Sequence, residues 1–156
     1  FHPDAIEAGV NALATGKKVF TDTRMALSGI RKRDLERFGC EVACLIDAPE
    51  VVEKAGTEKT TRAHAAVDLA AVDMDGGIYV VGNAPTALLR LLELVRGKKA
   101  SPALIVGLPV GFVNAAESKQ ALIESGYPHI GNAGRKGGSN VAAAVVNALI
   151  KIAFAR

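Results

Sequence analysis

Residues 77–95, GIYVVGNAPTALLRLLELV, pass from a short apolar run through a polar turn into a helical pattern. In the turn, Asn83 can cap a helix and Pro85 can occupy an early helical position, so a helix is predicted from Ala87 to Val95. The run at 77–81 is nearly continuous in apolar residues, which is typical of a strand covered on both faces. The stretch therefore predicts one strand–turn–helix unit of a parallel sheet.

The same order of patterns recurs along the chain. Threonine at the start of one helical pattern predicts a side-chain cap, and Gly76-Gly77 predicts its end. Strands that alternate with helices predict a single three-layer α/β/α domain over residues 1–156, with a mainly parallel, Rossmann-like sheet. Further strands are predicted at 18–21, 41–46 and 103–107, and further helices at 5–13, 60–74, 115–124 and 138–154.

Composition excludes several classes of protein. A chain with 49% hydrophobic and 22% charged residues is globular rather than disordered. The longest apolar runs fall short of the roughly 18 to 20 residues that cross a bilayer, and no signal-peptide pattern is present, so we expect a cytoplasmic protein without a membrane partner. The excess of 19 basic over 16 acidic residues is mild, and its dense block at 31–33 lacks aromatic neighbours. Nucleic acid is therefore not predicted as a partner.

The two cysteines, Cys40 and Cys44, have no second pair. This spacing favours neither a zinc site nor a redox motif. We expect two small, buried strand residues in a reducing compartment.

Four polar segments are predicted at the carboxyl ends of strands, where open parallel sheets bind ligands: 21–25, 81–86, 106–112 and 131–139. In the last, four glycines allow close approach of the backbone, and Arg135 and Lys136 supply positive charge beside a predicted helix N-terminus. The pattern predicts an anion-binding loop, although a flexible surface turn explains it equally well. None of these segments has the glycine spacing of a nucleotide-binding loop.

Single residues leave alternatives open. Arg62, at a predicted helix N-terminus, either meets an anion or is a solvated surface arginine. Asp22, at a strand end, either orders a polar site or caps the next helix, and the cap is the preferred interpretation. None of the three histidines, His2, His64 and His129, lies in a recognisable catalytic or metal-binding arrangement, and no metal site is predicted.

Several motifs in order resemble those of the precorrin-8X methylmutase family: DTRMALSG at 22–29, Thr61-Arg62, GNAPTAL at 82–88, GLPVGFVNAAESK at 107–119 and GRKGGS at 134–139. The resemblance covers essentially the whole chain and extends to 91–94 and 102–103. It implies an isomerase of cobalamin biosynthesis that moves a methyl group on the corrin macrocycle. The reaction converts precorrin-8X to hydrogenobyrinate, or cobalt-precorrin-8 to cobyrinate. The family implies a homodimer and no separate cofactor.

The resemblance also implies which residues bind the carboxylate-rich tetrapyrrole. Basic side chains and backbone N–H groups suit its acetates and propionates. The expected substrate-binding residues are Asp22, Met25, Arg62, Asn83, Thr86, Gly111, Phe112, Arg135, Lys136 and Ser139.

The catalytic residue is not assigned within this sequence. In the family, a proton-transferring histidine lies upstream of an F-x-P-D-x-(I/V) stretch, which residues 1–6 (FHPDAI) match. His2 occupies a variable position of that stretch, so we expect the catalytic histidine upstream of Phe1 and a chain that lacks this N-terminal segment. Two alternatives remain: a non-catalytic corrinoid-binding protein or truncated inactive relative, and an α/β enzyme that binds phosphate at 134–139.

Overall fold

Five short strands form one parallel sheet in the computed structural model, which describes all 156 residues. Their order across the sheet is β2-β1-β3-β4-β5, and every neighbouring pair is parallel. Helices cover both faces, which confirms the predicted three-layer α/β architecture. The strands are β1 (Val19–Thr21), β2 (Val42–Ala43), β3 (Ile78–Val81), β4 (Leu104–Gly107) and β5 (His129–Gly131).

Eight helices complete the fold, and none of them combines the length and the apolar character that a bilayer crossing demands. The helices predicted at 5–13, 87–95, 115–124 and 138–154 are all present, and each predicted end lies within about two residues of the observed one. The helices are α1 (Ala5–Ala14), α2 (Arg24–Gly29), α3 (Lys32–Glu36), α4 (Pro49–Thr57), α5 (Arg62–Ala71), α6 (Pro85–Arg96), α7 (Ala115–Glu124) and α8 (Ser139–Phe154).

The sheet separates two apolar clusters because successive side chains of a strand point to opposite faces. Ile78 and Val80 of β3 pack with α1 and α8 in one cluster. Tyr79 and Val81 pack with α5, α6 and α7 in the other. All four side chains are at most 1% exposed, as expected for a strand buried on both faces.

Two predicted boundaries are wrong. The strand expected at 41–46 is only Val42–Ala43, at the edge of the sheet, where it pairs with β1 alone. The helix expected to reach Met74 ends at Ala71. Met74 lies in the turn beyond the helix, fully buried in the second cluster, and its carbonyl accepts the N–H of Gly77. The chain therefore turns earlier than the glycine pair indicates.

Neither cysteine lies in a strand, so that part of the prediction is also wrong. Cys40 is buried in the turn before β2, and its thiol donates to the carbonyl of Leu13 at 3.2 Å. Cys44 is half-buried just after β2. Burial raises the pKa of the Cys40 thiol.

Candidate active site

The four polar segments meet at the carboxyl ends of the strands, which we call the carboxyl edge of the sheet. From β1 the chain crosses to β2 on one side and later to β3 on the other. The loops after β1 and β3 therefore diverge, and such a switch point forms a crevice that binds ligands in open α/β sheets. Asp22 and Thr23 follow β1, and Gly82 and Asn83 follow β3.

Asp22 is a buried residue of this crevice, and its carboxylate holds the loop after β3. Its carboxylate is 2% exposed and accepts the backbone N–H groups of Gly82 at 2.8 Å, Asn83 at 2.9 Å and Ala84 at 2.7 Å. Burial raises the pKa of Asp22, and the three N–H groups oppose that rise. The preferred cap interpretation is wrong: Thr23 caps α2 by accepting the N–H of Ala26 at 3.1 Å. Asp22 instead orders the loop after β3 through these three hydrogen bonds.

Three loops touch at Gly82 and Ser139. A Cβ on Gly82 would lie 2.6 Å from the Cα of Ser139, so only glycine allows the loop after β3 to approach α8 this closely. The hydroxyl of Ser139, a residue 7% exposed, lies 2.7 Å from the hydroxyl of Thr23. The loops after β1, β3 and β5 are therefore fixed against one another.

The glycine-rich loop is attached to the loop after β4. Gly138 donates its N–H to the carbonyl of Leu108 at 2.9 Å, and Gly111 donates to the carbonyl of Arg135 at 3.3 Å. A Cβ on Gly137 would lie 2.3 Å from the carbonyl oxygen of Leu108, so this contact also requires glycine. The glycine-rich loop is therefore attached to the loop after β4 by backbone hydrogen bonds and a close glycine contact.

This loop presents unpaired positive charge. Arg135 and Lys136 are exposed, and neither side chain forms an ion pair. The loop leads into α8, where no side chain caps the N-terminus and the first helical bond runs from Ala142 to Gly138. The N–H groups at 139–141 have no protein partner. Free N–H groups and unpaired cations together suit a carboxylate.

Arg62 lies on the other side of the crevice, in the first turn of α5. Thr61 caps that helix by accepting the N–H of His64 at 3.1 Å, and its hydroxyl lies 3.1 Å from that of Thr86 on α6. Arg62 is half exposed and donates to the carboxylate of Asp47 at 3.1 Å. The anion that meets Arg62 is therefore a side chain of the same protein.

Asp47 was not predicted as a site residue. Besides Arg62 it accepts the Nε of Arg24 at 2.5 Å, so one carboxylate joins two arginines from separate loops. No motif marks Asp47 in the sequence, because its role arises only when the loop after β2 packs beside α2 and α5.

Apolar side chains border the basic loops. Met25 is 70% exposed and Phe112 is 87% exposed. They follow β1 and β4, which are two strand spacings apart, or roughly 10 Å. Gly111, with φ +140°, produces the turn that carries Phe112 outward. The edge thus combines an exposed apolar surface with positive charge.

Two of the three histidines lie at the amino ends of the strands, opposite the carboxyl edge. His129 begins β5, is 6% exposed and contacts the carbonyl of Tyr127 through Nδ1 at 2.8 Å. His2 donates its backbone N–H to the carbonyl of His129. His64, in the first turn of α5, is the histidine on the side of the candidate site, and its Nδ1 is buried without a partner.

Lys119 was also missed. It lies on the buried stripe of α7 with Ala115, Ser118 and Leu122, a spacing of three and four residues that the sequence displays. A lysine at a core position of an amphipathic pattern is the feature of the sequence that could have revealed it. Its side chain is 1% exposed and contacts the glycine-rich loop.

The comparison with protein families identifies the chain. The family model described as precorrin-8X methylmutase matches residues 1–152. The chain belongs to the precorrin-8X methylmutase family. The predicted family and its class, isomerases that transfer a methyl group within the substrate, are thereby confirmed.

Individual relatives are similar over nearly the whole chain. The chain is 52% identical over 151 residues to the cobalt-precorrin-8 methylmutase of Salmonella typhimurium, which covers 96% of this chain and 70% of the relative. It is 48% identical over 149 residues to the cobalt-precorrin-8 methylmutase of Priestia megaterium, covering 96% of this chain and 66% of the relative. The chain thus spans about two thirds of the length of these curated relatives.

A solved structure shares the fold. The precorrin-8X methyl mutase of Thermus thermophilus superposes with a TM-score of 0.88 at 44% identity, covering 98% of this chain and 75% of the other. The names of these similar proteins therefore include both substrates, cobalt-precorrin-8 and precorrin-8X.

Proposed function

We propose that this protein binds precorrin-8X or cobalt-precorrin-8 at the carboxyl edge of its sheet and takes part in the methyl migration that gives hydrogenobyrinate or cobyrinate. One observation carries the proposal: the segments that resemble the family motifs lie in separate parts of the sequence but meet at this edge.

The peripheral carboxylates of the substrate would contact the positive groups of the edge. Arg135, Lys136 and the free N–H groups of α8 form one candidate subsite, and Arg62, which also donates to Asp47, forms another. Charge-assisted hydrogen bonds of this kind are shorter and stronger than neutral ones. Asn83, held by Asp22, and Thr86 lie between the two subsites and supply neutral polar groups.

The faces of the macrocycle would contact the apolar part of the edge. Met25 and Phe112 expose most of their surface, and burying it against a ring is favourable at about 25 cal/mol per Å². Gly111 allows the backbone to approach the ring, and Ser139 keeps the loops aligned through its contact with Thr23. The ring would therefore bind flat, with its carboxylates directed to the basic loops.

The proton step is proposed from the family resemblance. A histidine protonates the macrocycle, the methyl group migrates between neighbouring carbons, and a proton is then removed, so that the substrate and product are isomers. An imidazole suits both transfers because its ordinary pKa is near neutrality. The family carries this histidine ahead of the stretch that residues 1–6 match, so we assign the role to none of His2, His64 and His129.

A homodimer and a cytoplasmic location belong to the same proposal. The candidate site is open, and a second subunit would cover exposed residues beside it such as Val113. Two free cysteines suit a reducing compartment. Light scattering of the purified chain tests the dimer.

The test is a visible-spectrum titration of the chain with hydrogenobyrinate, because the corrin absorbs where the polypeptide does not. A saturable spectral change is expected. Absence of any change would contradict the proposed site. A thermal shift with phosphate or nucleotides but none with the corrin would favour the rival phosphate-binding enzyme.

The substrate branch is tested by the same titration with cobyrinate. Tighter binding of one ligand would assign this protein to the metal-free or the cobalt-containing substrate.

A further inference from the structure

Lys119 is a buried cation without a carboxylate partner. Its side chain is 1% exposed, and no ion pair includes it. Burial lowers the pKa of its amine, the direction expected when a charged amine loses solvation. Because buried charges are normally paired, an unpaired one lowers the stability of the fold, so its presence here points to a function.

The amine contacts the glycine-rich loop from its inner side. Lys119 Nζ donates to the carbonyl of Lys136 at 2.6 Å and to Asn132 Oδ1 at 3.2 Å. Asn132 Nδ2 donates to the same carbonyl at 2.9 Å. Two donors therefore hold the Lys136 carbonyl against α7.

This contact orients the next peptide N–H. In a trans peptide the carbonyl and the following N–H point in opposite directions. With its carbonyl directed inward at Lys119, the peptide directs the N–H of Gly137 away from α7, and this N–H has no protein partner. The side chains of Arg135 and Lys136 are exposed on the same loop.

We propose that Lys119 is a positioning residue for carboxylate recognition: it fixes the loop 132–137 and adds a buried positive charge beneath the groups that receive a substrate carboxylate. The inference rests on the proposed function and deepens it. Fixed dipoles and charges that need no reorganisation when an anion arrives bind that anion more strongly than mobile ones. The unpaired charge is then neutralised when the carboxylate binds.

The test is Lys119→Met, which keeps the length of the side chain and removes its charge. We expect hydrogenobyrinate binding to weaken about tenfold, the effect of one charge-assisted contact. The midpoint of thermal unfolding should stay the same or rise, since a buried unpaired charge is removed. Lys151→Met, at an exposed position of α8, removes the same charge as a control and should leave binding unchanged.

Binding of a methyl ester of hydrogenobyrinate distinguishes a positioning role of Lys119 from a purely structural one. If Lys119 serves carboxylate recognition, Lys119→Met weakens binding of the acid but leaves binding of the ester at the level of the wild type. Asn132→Asp, which places a carboxylate beside Nζ, should also weaken binding of the acid alone.

The possible failures are distinguishable. Equal weakening of acid and ester, or acid binding that is unchanged in Lys119→Met, would overturn this inference while the wild type still binds the corrin. Failure of the wild type to bind the acid would overturn the proposed function, and this inference with it.

Discussion

Replacement of Asp22 by asparagine should destabilise the carboxyl edge by about 3 kcal/mol. The carboxylate accepts three backbone N–H groups, one through Oδ1 and two through Oδ2. An asparagine oxygen at the Oδ2 position keeps two of these bonds, and its NH₂ group then faces the N–H of Gly82. A buried donor without an acceptor, together with the loss of the charge, costs about 3 kcal/mol.

The assay is urea unfolding at pH 7. For a chain of this size about 3 kcal/mol corresponds to a fall of roughly 6 to 12 °C in Tm. The urea midpoint should fall with an unchanged slope, because the surface exposed on unfolding is the same. Asp4→Asn, an exposed carboxylate, is the control and should change stability by no more than about 0.5 kcal/mol. A loss below about 1 kcal/mol for Asp22→Asn would refute the reasoning that its three bonds organise the loop.

Three further predictions follow from single contacts. Gly82→Ala should lower stability by about 1 to 3 kcal/mol in chemical unfolding, because its Cβ would meet the backbone of Ser139, and an unchanged midpoint would contradict the close approach. Arg62→Ala should weaken hydrogenobyrinate binding with a stability change of no more than about 0.5 kcal/mol, and unchanged affinity would remove Arg62 from the site. Burial by itself would raise the pKa of Asp68, but hydrogen bonds, first that of Arg90, bring this pKa below its usual value. The ionised Asp68 therefore stabilises the fold above about pH 4, and this stabilisation is lost as the pH falls further. Asp68→Asn should therefore be less stable than the wild type at pH 7, and a difference that does not shrink by pH 3 would contradict this.

The sheet was predictable because its central strands are buried on both faces. Ile78 to Val81 and Leu104 to Gly107 form continuous apolar runs, and each is followed by a turn and an amphipathic helix. The strand β5 escaped prediction because it contains three residues and begins with a histidine. The helix α3 has five residues, of which only Leu35 is buried, so no apolar period marks it.

The site was predictable only at the level of loops. The rule that ligands bind at the carboxyl ends of parallel strands placed the glycine-rich loop and Asp22 in one region. The partners of these residues depend on contacts between distant parts of the chain, such as Asp47 with Arg62 and Lys119 with Lys136. No local pattern encodes such pairs, although a lysine in the buried stripe of α7 is a visible anomaly.

The central claim is that the macrocycle binds at the carboxyl edge, and hydrogen–deuterium exchange with and without saturating hydrogenobyrinate tests it most directly. We predict slower exchange of backbone amides at 82–86, 108–112 and 132–141 in the complex, with no change at 127–129 on the opposite edge. Protection confined to that opposite edge, or saturable binding without protection of these loops, would contradict the claim.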